Sequence, residues 1–183
     1  MLEDFIEYHK KNGGVSRDIK FEYFYRTLKN DPDPKKSSEY AISRYANICK
    51  EALLTCDLIP GVEEFLEHLN LERIICYVLS GGNEEEIKQI FSLRSLNRYF
   101  HGIYGSPVNK SENFQKLINS GIEFPILYFG DSELDFLTAE LFGCDFVYVY
   151  SKSDWAEGLE VCRKKNVQTH RNFADLMMVY NIE

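Results

Sequence analysis

The sequence predicts an α/β fold: a doubly wound parallel sheet preceded by a small all-helical region. Two observations predict it. After Pro60-Gly61, apolar runs of strand length alternate with amphipathic stripes of helix length; parallel sheets with right-handed crossovers give that alternation. Before Pro60, every apolar stripe has helical spacing. A third observation locates chemistry. In Ile126-Leu127-Tyr128-Phe129-Gly130-Asp131-Ser132-Glu133-Leu134-Asp135 a buried-strand run ends in glycine, and two carboxylates follow four residues apart. Ligands of open α/β sheets bind at that end of the strands.

Residues 1–56 read as helical. Leu2, Phe5, Ile6 and His9 form one stripe, and Phe21, Phe24, Tyr25 and Leu28 a second. Ile42, Tyr45, Ala46, Cys49, Leu53 and Cys56 form a longer third. Asn12-Gly13-Gly14 and Asn30-Asp31-Pro32-Asp33-Pro34 separate them, since glycine and proline pairs end helices. Val62, Phe65, Leu66 and Leu69 make the next helix. The spacing then predicts strand Ile74–Leu79, helix Asn83–Leu96, strand Gly102–Tyr104 and helix Ser111–Asn119. Strand Pro125–Phe129, helix Glu133–Phe142, strand Asp145–Tyr150 and helix Asp154–Lys164 follow. A last helix carries Phe173, Leu176, Met177 and Tyr180.

The 183 residues suffice for one α/β domain with a small insertion. A net charge of −8 argues against nucleic acid and anionic membrane surfaces as partners. No apolar run reaches transmembrane length. The N-terminus lacks the pattern of a signal peptide. Five cysteines without CxxC spacing read as reduced thiols of a cytoplasmic protein. The four histidines show no zinc-ligand spacing.

Three groups stand at predicted strand ends. Ser80-Gly81-Gly82 follows the first strand; a hydroxyl with free N–H groups suits an oxyanion, and equally Ser80 or Asn83 serves as a helix cap. Lys110 stands between a strand and a helix stripe, where an ammonium meets a phosphate or simply water. Asp131 and Asp135 converge as a site for Mg²⁺, a hard cation held by one or two carboxylates and substrate phosphates, or they cap the helix that begins there. Arg17, in Gly13-Gly14-Val15-Ser16-Arg17, is either a solvated residue after a Ser16 cap or a grip on a second anionic or hydroxylated group.

The order of these groups, a Ser after one strand, a Lys before a later helix and then GDSxxD, resembles the haloacid dehalogenase superfamily of phosphohydrolases. Leu58-Ile59-Pro60-Gly61-Val62-Glu63-Glu64-Phe65-Leu66 resembles the segment that returns from a helical cap to the core in phosphoglycolate-phosphatase-like members. The resemblance implies a cap over residues 1–57 and a Rossmann-like core over 58–183. It implies a Mg²⁺-dependent phosphomonoesterase acting on a small phosphorylated metabolite through an aspartyl-phosphate. Asp131 would be a direct metal ligand, and Asp135 a ligand through water or a holder of neighbouring groups. Ser80 and the Gly81 N–H would bind phosphate oxygens, Lys110 would neutralise phosphate and nucleophile, and Arg17 would reach the leaving group.

The family's first motif, an apolar strand ending in DxD that supplies the nucleophile, is matched nowhere. The one DxD is Asp31-Pro32-Asp33, in a proline-flanked loop. The family's first strand lies between the strands here predicted over 74–79 and 125–129. Without it their facing edges hold unpaired backbone groups, each costing about 1–3 kcal/mol when buried. A domain stable by about 5–15 kcal/mol carries few of these. The expectation is therefore a truncated form, inactive alone. The alternative is a non-catalytic relic that binds a ligand or protein partner.

Overall fold

A computed structural model describes residues 1–182. Helices α1 (Leu2–Lys11), α2 (Arg17–Tyr23) and α3 (Pro34–Thr55) come first, with a short π-helical turn over Phe24–Leu28. The Ser16 hydroxyl accepts from the Ile19 N–H at the start of α2, and Asp33 caps α3 by accepting from the Lys36 N–H at 3.3 Å, with Pro34 in the first turn. Asp31-Pro32-Asp33 is thus a helix-entry loop, as its prolines predict. Aromatic rings hold these helices together. Phe5 lies 5.8 Å from Phe21 and 4.7 Å from Phe24, and Tyr8 stacks on Tyr23 at 3.9 Å.

From α4 (Val62–Leu71) onward the chain alternates. The order is β1 (Tyr77–Asn83), α5 (Glu84–Leu93), β2 (Gly102–Ser106), α6 (Lys110–Asn119), β3 (Leu127–Gly130), α7 (Glu133–Phe142), β4 (Asp145–Val149), α8 (Gly158–Lys164), β5 (Gln168–His170) and α9 (Phe173–Tyr180). All pairings are parallel. Residues of β4 alternate between the two faces of their sheet. Phe146 and Tyr148 pack with Phe114 of α6, Phe136 and Ala139 of α7 and Cys162 of α8, whereas Val147 packs with Phe65 of α4 and Leu176 of α9. Helices therefore cover both faces, the doubly wound arrangement predicted. Each large apolar side chain so buried contributes about 1.5–3 kcal/mol.

Most element boundaries differ from the sequence reading by a few residues, and three features differ by more. The first strand starts at Tyr77 and not at Ile74, leaving Ile74 and Ile75 exposed before it, and it runs through Ser80 to Asn83. The helix predicted from Asp154 starts at Gly158, because Ser153 and Trp155 are tied into a turn that the Tyr148 and Ser153 hydroxyls hold. The short strand β5 was not predicted; Gln168-Thr169-His170 is too polar to register as a strand.

The sheet is divided. Strands β1 and β2 form one sheet, and β3, β4 and β5 another in that order. Among the described residues no strand joins β1 to β3. A space of about 750 Å³ lies between them, bordered by Tyr77 and Leu79 on one side and by Leu127 and Phe129 on the other. That is where the resemblance puts a central strand. No described helix is long and apolar enough to cross a membrane.

Candidate active site

The carboxyl ends of β1 and β3 open into one pocket of about 430 Å³. Ser80, Gly81 and Gly82 enter from β1, Lys110 from the start of α6, and Gly130, Asp131 and Asp135 from the β3–α7 turn. The helical region supplies the facing wall with Gly14, Arg17, Lys20 and Tyr45. Asp31 and Asp33 do not line it.

Asp135 is the most heavily engaged residue. The Ser132 hydroxyl donates to its Oδ2 at 2.6 Å, and the Ser132 and Asp131 N–H groups donate to the same oxygen at 3.2 and 3.3 Å. Its own N–H donates to the Ser132 Oγ, which completes a capping box at the start of α7. Tyr128 donates to Oδ1 at 3.1 Å, and the Lys110 ammonium pairs with that oxygen. Lys110 and Asp135 are both buried. The Tyr128 hydroxyl is held well above its ordinary pKa by burial first and the Asp135 charge second, so it stays a donor. Gly130 makes room for this cluster: a Cβ there would fall 2.3 Å from the Asp135 Cβ.

Asp131 stands differently. Its side chain is open to the pocket, and no hydrogen bond from another described residue reaches its carboxylate. The enclosing walls, and then the neighbouring Asp135 charge, hold its carboxyl above the ordinary range, against the pull of Lys110. Its backbone carbonyl accepts from the Ser153 hydroxyl, which anchors the turn.

Ser80 is not the helix cap; Asn83 is, accepting from the Glu86 N–H at 3.1 Å. The Ser80 Oγ accepts from the Gly82 N–H at 3.0 Å, which leaves the hydroxyl proton free to donate. Lys110 opens α6 directly behind the Asn109 cap. Asn113 steadies its loop by donating to the Gly105 and Val108 carbonyls at 3.0 and 3.2 Å.

The glycine pair of the helical region closes over the site. A Cβ on Gly81 would fall 2.1 Å from the Gly14 carbonyl oxygen. One on Gly14 would fall 2.9 Å from the Ser132 Oγ and 3.3 Å from the Lys110 Nζ. Only glycines permit backbones to approach this closely, and Gly14 also has a positive φ of 78°. Arg17 pairs with Glu86 of α5, which raises its pKa further, while its buried Nε has no partner. Lys20, which the sequence did not single out, is buried beside His9; its Nζ lies 3.3 Å from the His9 carbonyl oxygen, and burial lowers its pKa.

A family model described as "Haloacid dehalogenase-like hydrolase" matches residues 6–149. No curated protein matches the chain. Solved structures share its fold. One from Clostridium difficile, described as a phosphatase, is 18% identical with a TM-score of 0.70, covering 98% of this chain and 82% of that one. A predicted phosphoglycolate phosphatase from Haemophilus somnus 129pt is 20% identical with a TM-score of 0.69, covering 93% and 80%. The hydrolase YfnB from Bacillus subtilis, bound to magnesium, is 18% identical with a TM-score of 0.64, covering 98% and 78%.

Proposed function

The chain belongs to the haloacid dehalogenase-like hydrolases, and from that premise we propose that it is the greater part of a Mg²⁺-dependent phosphomonoesterase for a small phosphorylated metabolite. One observation carries this: Ser80, Lys110 and Asp131 come from three separate strand ends into a single pocket. A hydroxyl donor, an ammonium and a free carboxylate are what a phosphate with a hard cation needs. The phosphatase descriptions of the fold's relatives agree with it.

Among the described residues no three metal-ligating side chains cluster. Mg²⁺ is held by one or two carboxylates with substrate phosphates, and Asp131 is the carboxylate left available. When bound there, the ion offsets charge on the phosphate oxygens. Asp135 acts as a positioning residue: its oxygens are saturated, and it fixes the Lys110 ammonium at the pocket floor. The Ser80 hydroxyl and the Gly81 N–H orient phosphate oxygens, and Lys110 balances their charge. Arg17 faces the leaving group from the helical region, which serves as a cap over residues 1–57, with the core spanning 58–183. The free state of every described cysteine suits a cytoplasmic setting.

The aspartate nucleophile of this reaction lies on a strand that residues 1–183 do not contain; the divided sheet supports this. Assays on a panel of phosphomonoesters, with Mg²⁺ and with EDTA, test the proposal. A version extended in frame by an apolar strand ending in DxD is expected to release phosphate only with Mg²⁺, and Asp131→Asn abolishes the release. Failure of that version on every ester rejects a phosphatase and favours the binding relic.

A further inference from the structure

Besides His9, three basic side chains line the pocket: Arg17, Lys20 and Lys110. Two of them have carboxylate partners. Lys110 is paired with Asp135, and Arg17 with Glu86, so their charges are already balanced. Arg17 keeps a buried Nε–H without an acceptor, which can direct a ligand but brings it no net charge. Lys20 has no carboxylate partner among the described residues. It is only 6% exposed, and its Nζ lies 3.3 Å from the His9 carbonyl oxygen and 3.4 Å from the His9 Nδ1. Asp154 acts on it through space, without a hydrogen bond. An ammonium can only donate, so the His9 Nδ1 accepts and the neutral ring carries its proton on Nε2. Burial first and the Lys20 charge second lower the His9 pKa, which keeps the ring neutral. Neither His9 nor Lys20 borders the space between the two sheets.

With the phosphate placed at Ser80, Lys110 and Asp131, a reading on which this rests, we propose that Lys20 is the specificity-determining cation of the pocket. It receives a single carboxylate on the leaving group, so the substrate is the phosphate ester of a hydroxy acid. A buried ammonium with only neutral partners is costly, and an anion on the ligand removes that cost. One unbalanced positive charge matches one carboxylate. A second phosphate, with two negative charges, exceeds it, and a plain hydroxyl leaves it unpaired. Between the two charged ends the acid has an apolar carbon body. Val15, Tyr45, Leu53, Ile87 and Ile90 line the same pocket and cover such a body, whereas a phosphate alone touches little of that wall. The volume of about 430 Å³ lies within the range of small-molecule sites and holds more than a phosphate.

The test is calorimetric titration of the full chain with Mg²⁺ present. Inorganic phosphate is titrated first. The probes that follow are phosphate monoesters of four-carbon and six-carbon ω-hydroxy acids, each against the alkyl phosphate of the same length. At least one acid ester is expected to bind at least about tenfold more tightly than its alkyl counterpart. In Lys20→Met that ratio is expected to fall to about one, because the ammonium is gone while an apolar stem stays. The Lys20 Cε resonance of the parent gives a second readout that needs no variant: it moves with the acid ester and not with the alkyl phosphate. No gain from either carboxylate, a gain that survives in Lys20→Met, or a Lys20 resonance indifferent to the acid overturns the proposal. So does tighter binding of the α,ω-bisphosphate of matched length, because a second phosphate is then what the pocket takes. Inorganic phosphate bound with no gain from the acids removes the role of Lys20 alone. No binding of phosphate or of any ester removes the phosphatase reading with it.

Discussion

The Lys110 ammonium and the Asp135 carboxylate form a buried ion pair at the floor of the pocket, with side chains only 7% and 6% exposed. The two residues open successive helices, α6 and α7, that follow different strands. The pair therefore ties the two sheets together at the pocket floor, and it decides what each of the two aspartates can do.

Removing one partner leaves the other charged and buried. Asp135→Asn is expected to destabilise the fold by about 3–5 kcal/mol, and Lys110→Met by a similar amount. The double variant Lys110→Met/Asp135→Leu recovers part of the loss, because no charge is then left unpaired. Urea unfolding of the four proteins checks this; additive losses would show that the pair is not coupled.

Asp131 carries no such structural burden, and Asp131→Asn is expected to fold with stability within about 0.5 kcal/mol of the parent. Its carboxyl pKa is raised by the enclosing walls and by Asp135. The sign follows: the folded state holds this proton more tightly than the unfolded chain, so the contribution to stability is present below about pH 4 and is lost as pH rises through the folded-state pKa. Carbon-detected NMR titration should place Asp131 above a free aspartate, and added Mg²⁺ should lower it. A pKa unmoved by Mg²⁺ would remove Asp131 as the metal ligand.

Gly81→Ala should push the cap loop away from the core without unfolding either part. Its new Cβ has no room against the Gly14 carbonyl at 2.1 Å. Faster amide exchange over residues 12–17, with unchanged exchange in α7 and β4, is the expected pattern. Unchanged exchange in the loop would show that the contact is not what closes the cap.

Arg17 holds the N-terminal helical region to α5 through Glu86. Arg17→Ala is expected to weaken substrate binding and to lose about 1 kcal/mol of coupling with Glu86 in a double-mutant cycle. In the version extended in frame by the DxD strand, a rise in KM with little change in kcat would place Arg17 at the leaving group, whereas unchanged kinetics would leave it as a tie between the helical region and α5.

Much of this was legible in the chain. Glu133–Phe142 was readable to the residue, because the apolar strand run ends at Gly130; that Ser132 and not Asp131 caps this helix, and that Gly143 ends it, the structure adds. Asp131 and Asp135 could be named from their place at a strand end, whereas Ser80 and Lys110 stood out only through the motif order that carries the family resemblance. What could not be read is long-range. Nothing local to Asp135 says that Lys110, 25 residues away, takes one of its oxygens. Lys20 looks like any helical lysine until the fold buries it beside His9. The polar β5 becomes a strand only because the β4 edge is there to pair with it.

Calorimetric titration of inorganic phosphate into the chain, with and without Mg²⁺, for the parent and for Asp131→Asn, tests the site most directly. Phosphate should bind the parent more tightly when Mg²⁺ is present, and Asp131→Asn should abolish that enhancement while keeping the fold. Enhancement that survives in Asp131→Asn, or phosphate binding indifferent to Mg²⁺ in the parent, would contradict a phosphate and metal site built on Ser80, Lys110 and Asp131.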